Sequence, residues 1–197
     1  MASAAILVGG QARRFGGLDK STLVVGGRTI LDYQIRELSQ IVDDVLLVGS
    51  GRAKPAPAGL RLIVDRHPDC GPLGGLDAAL AEARDDAVIV MACDMPSVTA
   101  PLLAHLVGLA GEAQAVVPRT ERGYHPLCAV YSRTCRHAVG DRLASRRLSL
   151  MGLLEDVTVR IVEPSELEPF GVADFLLTNV NTPAELHAVE ARLGHLV

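Results

Sequence analysis

The sequence predicts an α/β fold in which helices cover both faces of a mainly parallel sheet. Short apolar runs alternate with helical segments through about residue 110, and such alternation produces parallel strands joined by right-handed crossovers. Beyond that point two strand-like runs, 115–118 and 127–131, follow each other without a helix between them. Because strands joined by a short connection pair antiparallel, we expect a three-layer, Rossmann-like fold whose mainly parallel sheet carries an antiparallel excursion.

The size and composition of the chain fit one globular domain. Its 197 residues are 49% hydrophobic and 21% charged, and this length supports one sizeable core rather than two. The formal net charge of -4 argues against a general nucleic-acid surface. A polyanionic ligand must therefore be met by a local cluster of basic residues. We expect a single domain, 1–197, with no nucleic-acid partner.

The apolar runs and the cysteines indicate in which cellular compartment the protein is expected. The longest wholly apolar run, 87–93, is too short to span a bilayer, and no basic region precedes the first apolar residues as it does in a signal peptide. The four cysteines form no C-x-x-C pair, which favours buried thiols over a disulfide framework or a zinc site. We expect a reduced, cytoplasmic protein with no membrane partner.

The first predicted strand, 5–8, leads into a loop that is suited to bind phosphate. The glycines and basic residues of this loop are Gly9, Gly10, Gly16, Gly17, Arg13, Arg14 and Lys20. Glycines let backbone N–H groups face an anion without obstruction by a Cβ atom, and basic side chains neutralise its charge. A glycine-rich turn with solvated basic residues is the alternative interpretation. A Walker loop is excluded because Leu18 and Asp19 separate Gly17 from Lys20, and the dinucleotide pattern G-x-G-x-x-G is absent.

Up to residue 65 the pattern predicts a hairpin, a helix, a loop and two more strands. Thr29 is placed to cap the helix, because apolar residues recur after it at helical spacing. The two strands are short apolar runs bounded by turn residues, as is typical of buried parallel strands. In chain order these elements are the hairpin 23–28, the helix 30–38, the strand 45–48, the loop 54–59 and the strand 62–64, which ends at Asp65.

The glycine-rich stretch 71–76 leads directly into an alanine-rich helix, predicted over 77–84. One interpretation is a tight turn that packs the start of the helix against the sheet. The other is a second backbone approach to a nucleotide, because a helix N-terminus offers free N–H groups and a positive dipole. The sequence leaves both interpretations open.

Asp94 directly follows the longest apolar run of the chain. That run, 87–93, predicts a central parallel strand, and the ligands of open α/β sheets bind at the carboxyl ends of such strands. Capping does not explain Asp94, because Thr99 is better placed to cap the following helix, predicted over 101–109. A carboxylate at this position is a candidate ligand of Mg²⁺.

Two groups of polar residues in the second half of the chain are further candidates for a site. His125 precedes a strand, where a histidine is either merely half-buried or part of a site. Asn179 and Asn181 alternate in a segment with strand character. Both amides would therefore face one ligand, or one of them would complete a Mg²⁺ shell.

Two other features of the second half have a structural interpretation. The basic cluster Arg142, Arg146 and Arg147 is interpreted as a solvated helix face. Thr182 followed by Pro183 is a helix-start signal, which predicts a helix over 184–193.

Residues 7–20, LVGGQARRFGGLDK, resemble the signature of the molybdenum cofactor guanylyltransferases, which are nucleotidyltransferases of the nucleoside-diphospho-sugar type. Asp65 matches that family's acidic residue after the third strand. Three later motifs also resemble the family: CDMP at 93–96 its metal-binding turn, YHPL at 124–127 a motif near its acceptor pocket, and NVNTP at 179–183 its pterin and metal contacts. One departure is VGS at 48–50, where guanylyltransferases often carry an asparagine that helps to hold the nucleoside.

This resemblance implies that the chain transfers GMP from GTP to molybdopterin that carries molybdenum, and releases pyrophosphate. It implies Mg²⁺ bound by Asp94, with Arg14 and Lys20 stabilising charge on the leaving pyrophosphate. The nucleotide-binding half would be about 1–110 and the acceptor half about 111–197. The implied nucleotide-binding residues are Leu7, Val8, Gly9, Gly10, Gly17, Lys20, Asp65 and Asp94. The implied acceptor-binding residues are His125, Asn179 and Asn181.

Two other functions stay open at this stage. A related transferase that uses CTP, or that acts on a sugar or alcohol phosphate, has a similar loop, but such enzymes tend to vary the GGxDK ending that this chain has at 16–20. The second is a non-catalytic GTP-binding module that partners a cofactor-insertion protein. Molybdopterin-delivery proteins and molybdoenzyme chaperones are the protein partners that the resemblance suggests, and the sequence does not predict the oligomeric state.

Overall fold

The computed structural model describes residues 1–8, 11–12, 18–19, 23–49 and 60–193. Within these ranges the strands are β1 Ala2–Val8, β2 Gln11–Ala12, β3 Leu18–Asp19, β4 Val24–Val25, β5 Arg28–Thr29, β6 Val45–Gly49, β7 Arg61–Val64, β8 Ala87–Ala92, β9 Ala115–Thr120, β10 Gly123–Tyr124, β11 Cys128–Ser132 and β12 Val159–Val162. The helices are α1 Ile30–Leu38, α2 Pro72–Glu82, α3 Ala100–Gly108, α4 Arg136–Ala144, α5 Leu150–Asp156, α6 Pro164–Leu167, α7 Ala173–Leu176 and α8 Pro183–Leu193.

The main sheet has the strand order β10-β9-β11-β8-β1-β6-β7, with β12 paired to β9. Strands β8, β1, β6 and β7 are parallel to their neighbours in this group. Strand β11 lies antiparallel between β8 and β9, and β10 is antiparallel to β9. The prediction of a mainly parallel sheet with an antiparallel excursion is confirmed.

Helices pack on both faces of this sheet because the strand residues alternate between two cores. In β1, Ala4 and Ile6 belong to the core that includes α1 and α3, whereas Ala5 belongs to the core that includes α2 and α4. This period of two follows from the pleat of a strand. A third, smaller core joins the β4–β5 hairpin to α1, to α8 and to the segment before α8. Its buried residues are Leu23, Val25, Ile30, Val180 and Val189.

The predicted caps of α1 and α8 are confirmed by side-chain hydrogen bonds. The Thr29 hydroxyl accepts from the N–H of Asp32 at 3.0 Å, and the Asp32 carboxylate accepts from the N–H of Thr29 at 3.2 Å. The Thr182 hydroxyl accepts from the N–H of Glu185 at 3.2 Å. Both helices therefore begin where short-range sequence signals place them.

The prediction for the helix after the glycine-rich stretch is wrong at its start. Helix α2 begins at Pro72 rather than at residue 77, so Gly74 and Gly75 lie inside the helix. Gly71 precedes it with φ 59°, a backbone conformation that favours glycine, and Pro72 has the fixed φ of a first helical residue. The sequence places these glycines before the helix because glycine is a poor helix former.

The interpretation of Arg142 as part of a solvated face is also wrong. Arg142 is only 6% exposed, and its Nη1 lies 2.6 Å from Oδ2 of Asp156 on α5. Its Nε donates to the carbonyl of Arg147 at 3.1 Å. Arg146 and Arg147 are exposed, as predicted. A charge that is buried must be paired, and the pairing partner lies on a different helix.

The prediction of buried thiols is confirmed for the described residues. The four cysteines, Cys70, Cys93, Cys128 and Cys135, are buried, and none of them forms a disulfide in this part of the chain. Among the described helices, none combines the length and the apolar character that a bilayer crossing requires.

Asp44 anchors the amino edge of the parallel strands, opposite the edge where ligands are expected. Its side chain is 4% exposed, and it accepts hydrogen bonds from Nη1 of Arg61 at 3.0 Å and from the N–H of Arg84 at 3.1 Å. Burial alone would raise the pKa of the Asp44 carboxyl. The hydrogen bonds from Arg61, Arg84 and Ser3 outweigh burial and hold this pKa below its usual value of 3.8.

Asp44→Asn is expected to lower the free energy of unfolding at pH 7 by about 2 kcal/mol, because hydrogen bonds to the charged carboxylate are lost. The pKa is lower in the folded than in the unfolded chain, so the stabilisation is present above about pH 4 and is lost as the pH falls through the folded pKa. Urea unfolding at pH 7 and pH 3 measures both effects. The exposed neighbour Asp43 provides the control, Asp43→Asn. Equal losses for the two variants, or a difference that does not shrink in acid, would contradict the prediction.

Candidate active site

The carboxyl ends of four parallel strands, β8, β1, β6 and β7, lie side by side at one end of the sheet, which we call its carboxyl edge. Val8 of β1 is level with Gly49 of β6, and Leu7 is level with Ala92 of β8. The chain continues this alignment beyond the strands, since Cys93 N–H donates to the carbonyl of Leu7 at 3.3 Å. The predicted site residues Leu7, Val8 and Asp94 therefore lie along one edge.

Asp94 is held in place by the segment between α7 and α8. Its side chain is buried, with 8% of the residue exposed, and Oδ1 accepts a hydrogen bond from Nδ2 of Asn179 at 2.7 Å. Its backbone carbonyl accepts from the N–H of Val180 at 2.8 Å. Two hydrogen bonds thus fix both the backbone and the side chain of Asp94.

Asn179 and Asn181 do not lie in a strand, which corrects the prediction of strand character from which both amides were expected to face one ligand. The segment 178–182 is irregular. The Asn179 amide donates to Asp94, whereas the backbone N–H of Asn181 donates to Oε2 of Glu185 at 2.7 Å. The alternation of a strand therefore does not apply. The structure brings Asn179 to Asp94, and it ties the Asn181 backbone to the start of α8.

Asp65 lies at the end of β7, on the same edge of the sheet. The Asp65 N–H donates to the carbonyl of Gly49 at 2.8 Å, which continues the parallel ladder. Its Oδ1 accepts from the N–H of His67 at 2.7 Å and shapes the turn that leads to the 3-10 turn Pro68–Cys70. This hydrogen bond gives Asp65 a structural role in the loop, beside the nucleotide contact predicted for it.

The two glycines in the first turns of α2 allow this helix to pack closely against the sheet edge. A Cβ atom at Gly74 would lie 2.5 Å from the carbonyl oxygen of His67, and one at Gly75 would lie 3.1 Å from Cδ2 of Leu7. The contact at Gly74 leaves no room for a Cβ atom, and the contact at Gly75 would require the Leu7 side chain to shift by a few tenths of an ångström. Of the two interpretations of 71–76, the tight packing of a helix start therefore explains both glycines.

A close contact also explains Gly49, one of the three residues at 48–50 where the sequence departs from the family's pattern. A Cβ atom at this position would lie 2.4 Å from the carbonyl oxygen of Val8. The close approach of β6 to β1 at the sheet edge therefore requires glycine at position 49. Position 50 lies outside the described residues.

His125 lies at the same edge, on the antiparallel side of β8. The carbonyl of Leu127 accepts from the N–H of Ala92, so the YHPL segment lies beside the strand that precedes Asp94. The Nε2 atom of His125 is 3.0 Å from Oγ1 of Thr120. Burial lowers the pKa of His125 below 6.5; Asp174 opposes this shift and Arg122 reinforces it. The imidazole is therefore mainly neutral at pH 7.

A groove of about 540 Å³ lies beside this histidine. Thr120, the hydrogen-bond partner of His125, and Asp174, which is close enough to affect its pKa, both line the groove. Asp174 belongs to α7, five residues before Asn179. The groove beside His125 and the Asp94 side chain are therefore joined by one short stretch of chain.

Five of the predicted site residues lie outside the described part of the chain: Gly9, Gly10, Arg14, Gly17 and Lys20. The described residues on either side fix where this loop begins, since β1 ends at Val8 on the carboxyl edge. Within the loop, β2 and β3 pair antiparallel, with Gln11 opposite Asp19.

Asp94, rather than a closed cage of side chains, is the candidate ligand for a cation at this edge. In the ranges that the structure covers, no group of three or more His, Cys, Asp or Glu side chains could hold a metal ion. Mg²⁺ commonly binds one or two protein carboxylates together with substrate phosphates and water. The buried, hydrogen-bonded carboxylate of Asp94 fits that mode of binding.

Sequence reasoning missed two residues of α1 that support the Asp94 loop. Nε2 of Gln34 donates to the carbonyls of Ala92 at 2.7 Å and Met95 at 3.2 Å. Oε2 of Glu37 accepts from the N–H of Ala100 at 2.9 Å. The prediction that Thr99 caps α3 with its side chain is wrong. The Thr99 side chain makes no capping hydrogen bond, and the Glu37 carboxylate accepts from the first N–H group of α3 instead. The sequence signal for Gln34 was a polar residue at helical spacing between two apolar residues, Ile30 and Leu38.

Comparisons with known proteins show which family this chain is similar to. A family profile described as "MobA-like NTP transferase domain" matches residues 4–159. A probable molybdenum cofactor guanylyltransferase of Pelotomaculum thermopropionicum is 31% identical, covering 98% of this chain and 92% of that protein. The molybdenum cofactor guanylyltransferase of Desulfosudis oleivorans is 29% identical, covering 95% and 94%. The crystal structure of molybdopterin-guanine dinucleotide biosynthesis protein A from Archaeoglobus fulgidus superposes with a TM-score of 0.82 at 24% identity, covering 99% of this chain and 100% of that one.

Gly74→Ala is expected to lower the free energy of unfolding by about 2 kcal/mol, because the added methyl group overpacks the contact with His67. Gly140 supplies a matched control: it lies in α4, is exposed, and a Cβ atom there meets nothing within 4 Å. Gly140→Ala is therefore expected to stabilise the protein by about 1 kcal/mol through helix propensity. Urea denaturation measures both changes. Shifts of the same sign and size in the two variants would show that position 74 is not tightly packed.

Proposed function

This chain belongs to the family of MobA-like NTP transferases, and we propose that it transfers GMP from GTP to molybdopterin that carries molybdenum, releasing pyrophosphate. Similarity over nearly the whole length to molybdenum cofactor guanylyltransferases supports this proposal. The observation that carries it is the position of Asp94: a buried carboxylate at the carboxyl edge of a parallel sheet, beside the strand that leads into the glycine-rich loop.

The reaction is a displacement at phosphorus. A terminal phosphate oxygen of molybdopterin forms a bond to the α-phosphorus of GTP, while the bond from that phosphorus to the bridging oxygen of the β-phosphate breaks. Pyrophosphate leaves with the electron pair of the broken bond, so no covalent enzyme intermediate is needed. Reactions of this class depend on aligning the two phosphates and neutralising their charge.

We assign the neutralisation of charge to Asp94 and the loop after β1. Asp94 would hold Mg²⁺, which supplies positive charge against the triphosphate when it is bound. Asn179 keeps the Asp94 carboxylate oriented through its 2.7 Å hydrogen bond. Lys20 and Arg14 would stabilise the charge that builds up on the leaving pyrophosphate.

The nucleotide would lie along the carboxyl edge of the first three parallel strands. The backbone N–H groups of Gly9, Gly10 and Gly17 would donate to phosphate oxygens, since glycine leaves them accessible. Leu7, Val8 and Asp65 border this edge and are the proposed contacts to the nucleoside. This region corresponds to the proposed nucleotide-binding half, about 1–110.

The acceptor would approach from the other side of Asp94, over the proposed acceptor half, about 111–197. His125 is proposed to contact the pterin as a neutral imidazole, which can both donate and accept hydrogen bonds. Asn179 and Asn181 are proposed to contact the acceptor where the irregular segment 178–182 meets Asp94.

The cellular setting follows from the substrates and the thiols. Four buried cysteines that form no disulfide fit a reducing compartment, so we propose that the reaction takes place in the cytoplasm. A molybdenum-carrying pterin and its dinucleotide product would be passed between proteins. Molybdopterin-delivery proteins and molybdoenzyme chaperones are therefore the proposed partners.

In a direct test, the wild-type protein is incubated with Mg²⁺, molybdopterin and GTP, CTP or ATP in turn, and pyrophosphate is measured. We expect release with GTP, and release only when the acceptor is present. Release with CTP instead would identify a related cytidylyltransferase. Binding of GTP without any release of pyrophosphate would identify a non-catalytic module, and would overturn the proposed reaction.

Asp94→Asn is expected to reduce turnover by on the order of 100-fold, about 3 kcal/mol of transition-state stabilisation, because a neutral amide binds a cation poorly. The amide oxygen can still accept from Asn179, so the unfolding free energy should change little. Lys20→Ala is expected to cost a similar factor. The control is Asp86→Asn, at the amino end of β8, where the side chain is 93% exposed. Turnover like that of the wild type in both Asp94→Asn and Lys20→Ala would remove the proposed site.

A further inference from the structure

Gln34 is a polar residue in a position that an apolar residue would normally fill. It lies on the buried face of α1, between Ile30 and Leu38, and it is only 1% exposed. Apolar residues at this spacing form the stripe by which a helix packs on a core. A glutamine here must satisfy its polar amide inside the protein.

The Gln34 amide holds the two carbonyl groups that flank Asp94. Its Nε2 lies 2.7 Å from the carbonyl oxygen of Ala92 and 3.2 Å from that of Met95. Carbonyl oxygens only accept hydrogen bonds, so the atom between them is the nitrogen, and each of its two hydrogens serves one carbonyl. One bond lies two residues before Asp94 and the other lies one residue after it.

The other end of the amide indicates that Gln34 does not serve packing alone. Oε1 of Gln34 is buried and has no hydrogen-bond partner in the described ranges of the chain. A buried acceptor without a partner destabilises the fold. An apolar side chain of similar length would avoid this cost, so the benefit of glutamine lies in the two bonds that its nitrogen makes.

Two further contacts of α1 bear on the same segment. Glu37, one turn after Gln34, accepts from the N–H of Ala100 at 2.9 Å and so fixes the start of α3. Ile30, one turn before it, shares a core with Val180, whose N–H donates to the carbonyl of Asp94 at 2.8 Å. One face of α1 thus supports the chain before, at and after Asp94.

We propose that Gln34 is a positioning residue that aims the Asp94 carboxylate at the cation and the triphosphate, a role that rests on the proposed function. Gln34 touches neither substrate nor cation in this role. It fixes the Asp94 turn, residues 93–97, by holding the carbonyls of Ala92 and Met95. Without those two bonds the turn relaxes, and the carboxylate that accepts from Asn179 loses its fixed orientation.

The test compares Gln34→Met, which removes both donors at nearly constant length, with Leu153→Ala. Leu153 is fully buried in α5, in the core on the other face of the sheet, so its truncation destabilises the protein through a cavity without touching the Asp94 turn. Two quantities are measured in each variant. They are the hydrogen-exchange rate of the backbone over 93–97, and the Mg²⁺ concentration at which GTP raises Tm half-maximally.

Gln34→Met is expected to speed exchange over 93–97 and to raise the required Mg²⁺ concentration about tenfold, as is typical when the support of a metal ligand is removed. Leu153→Ala should lower Tm without either effect. Gln34→Asn, which retracts the amide by one methylene group, gives the same comparison if the Met variant does not fold. Wild-type values in the Gln34 variants, a change in only one of the two quantities, or equal changes in Leu153→Ala would overturn the proposal.

These readouts separate the positioning role from the reaction itself, because neither of them requires turnover. A wild-type protein that binds GTP with Mg²⁺ but releases no pyrophosphate would refute the proposed reaction. The comparison of Gln34→Met with Leu153→Ala would still decide whether Gln34 positions the Asp94 turn.

Discussion

The hydrogen bond from Asn179 to Asp94 is the contact on which the arrangement of the site depends, and it joins positions 85 residues apart. A carboxylate at the end of a central strand is nearly removed from water and must find partners in the protein. The neighbouring bond from Val180 N–H to the carbonyl of Asp94 has the same origin. Both require the segment 178–182 to return across the sheet edge, and the small core around Val25, Ile30 and Val180 holds it there.

The buried carboxylates at the two ends of the parallel strands have different roles. At the amino edge, Asp44 is satisfied by Arg61 and by the backbone of Arg84, and these bonds tie strands and helix ends together. At the carboxyl edge, the Asp94 carboxylate accepts from the Asn179 amide and follows β8, the strand that pairs with β1. Parallel strands create this asymmetry, because every crossover helix returns the chain to the amino edge before the next strand begins. Charge that serves stability and charge proposed to serve chemistry are therefore kept apart.

Local sequence patterns predicted those parts of the fold whose causes are local. The cap at Thr29, the buried strands and the position of Asp94 at the end of β8 all follow from residues within one or two turns of chain. Arg142 and the start of α2 were mispredicted because tertiary contacts overrode local preference. The Arg142 guanidinium finds Asp156 on another helix, and Gly74 serves a close approach rather than a turn.

The site shows the same limit more sharply. Motif resemblance selected Asp94 and Asn179 separately, but nothing in the sequence indicated that one binds the other. Gln34 was missed because its partners are backbone carbonyls, which every residue carries, so no side-chain pattern marks them. Only the packing of α1 under the end of β8 shows that the spacing of Ile30, Gln34 and Leu38 aims a donor at the Asp94 turn.

In the proposed reaction, the segment 174–179 would link the acceptor side of the site to Asp94. Asp174 influences the pKa of His125 from α7, and five residues later Asn179 reaches the Asp94 carboxylate. A displacement at phosphorus requires both phosphates to be aligned within tenths of an ångström, so the two halves of the site cannot be positioned independently. The segment 174–179 contacts both sides and so fixes one relative to the other. Helix α1 supports the Asp94 turn, residues 93–97, through Gln34. The alignment therefore depends on non-covalent bonds between distant segments, and the glycine-rich loop alone does not define it.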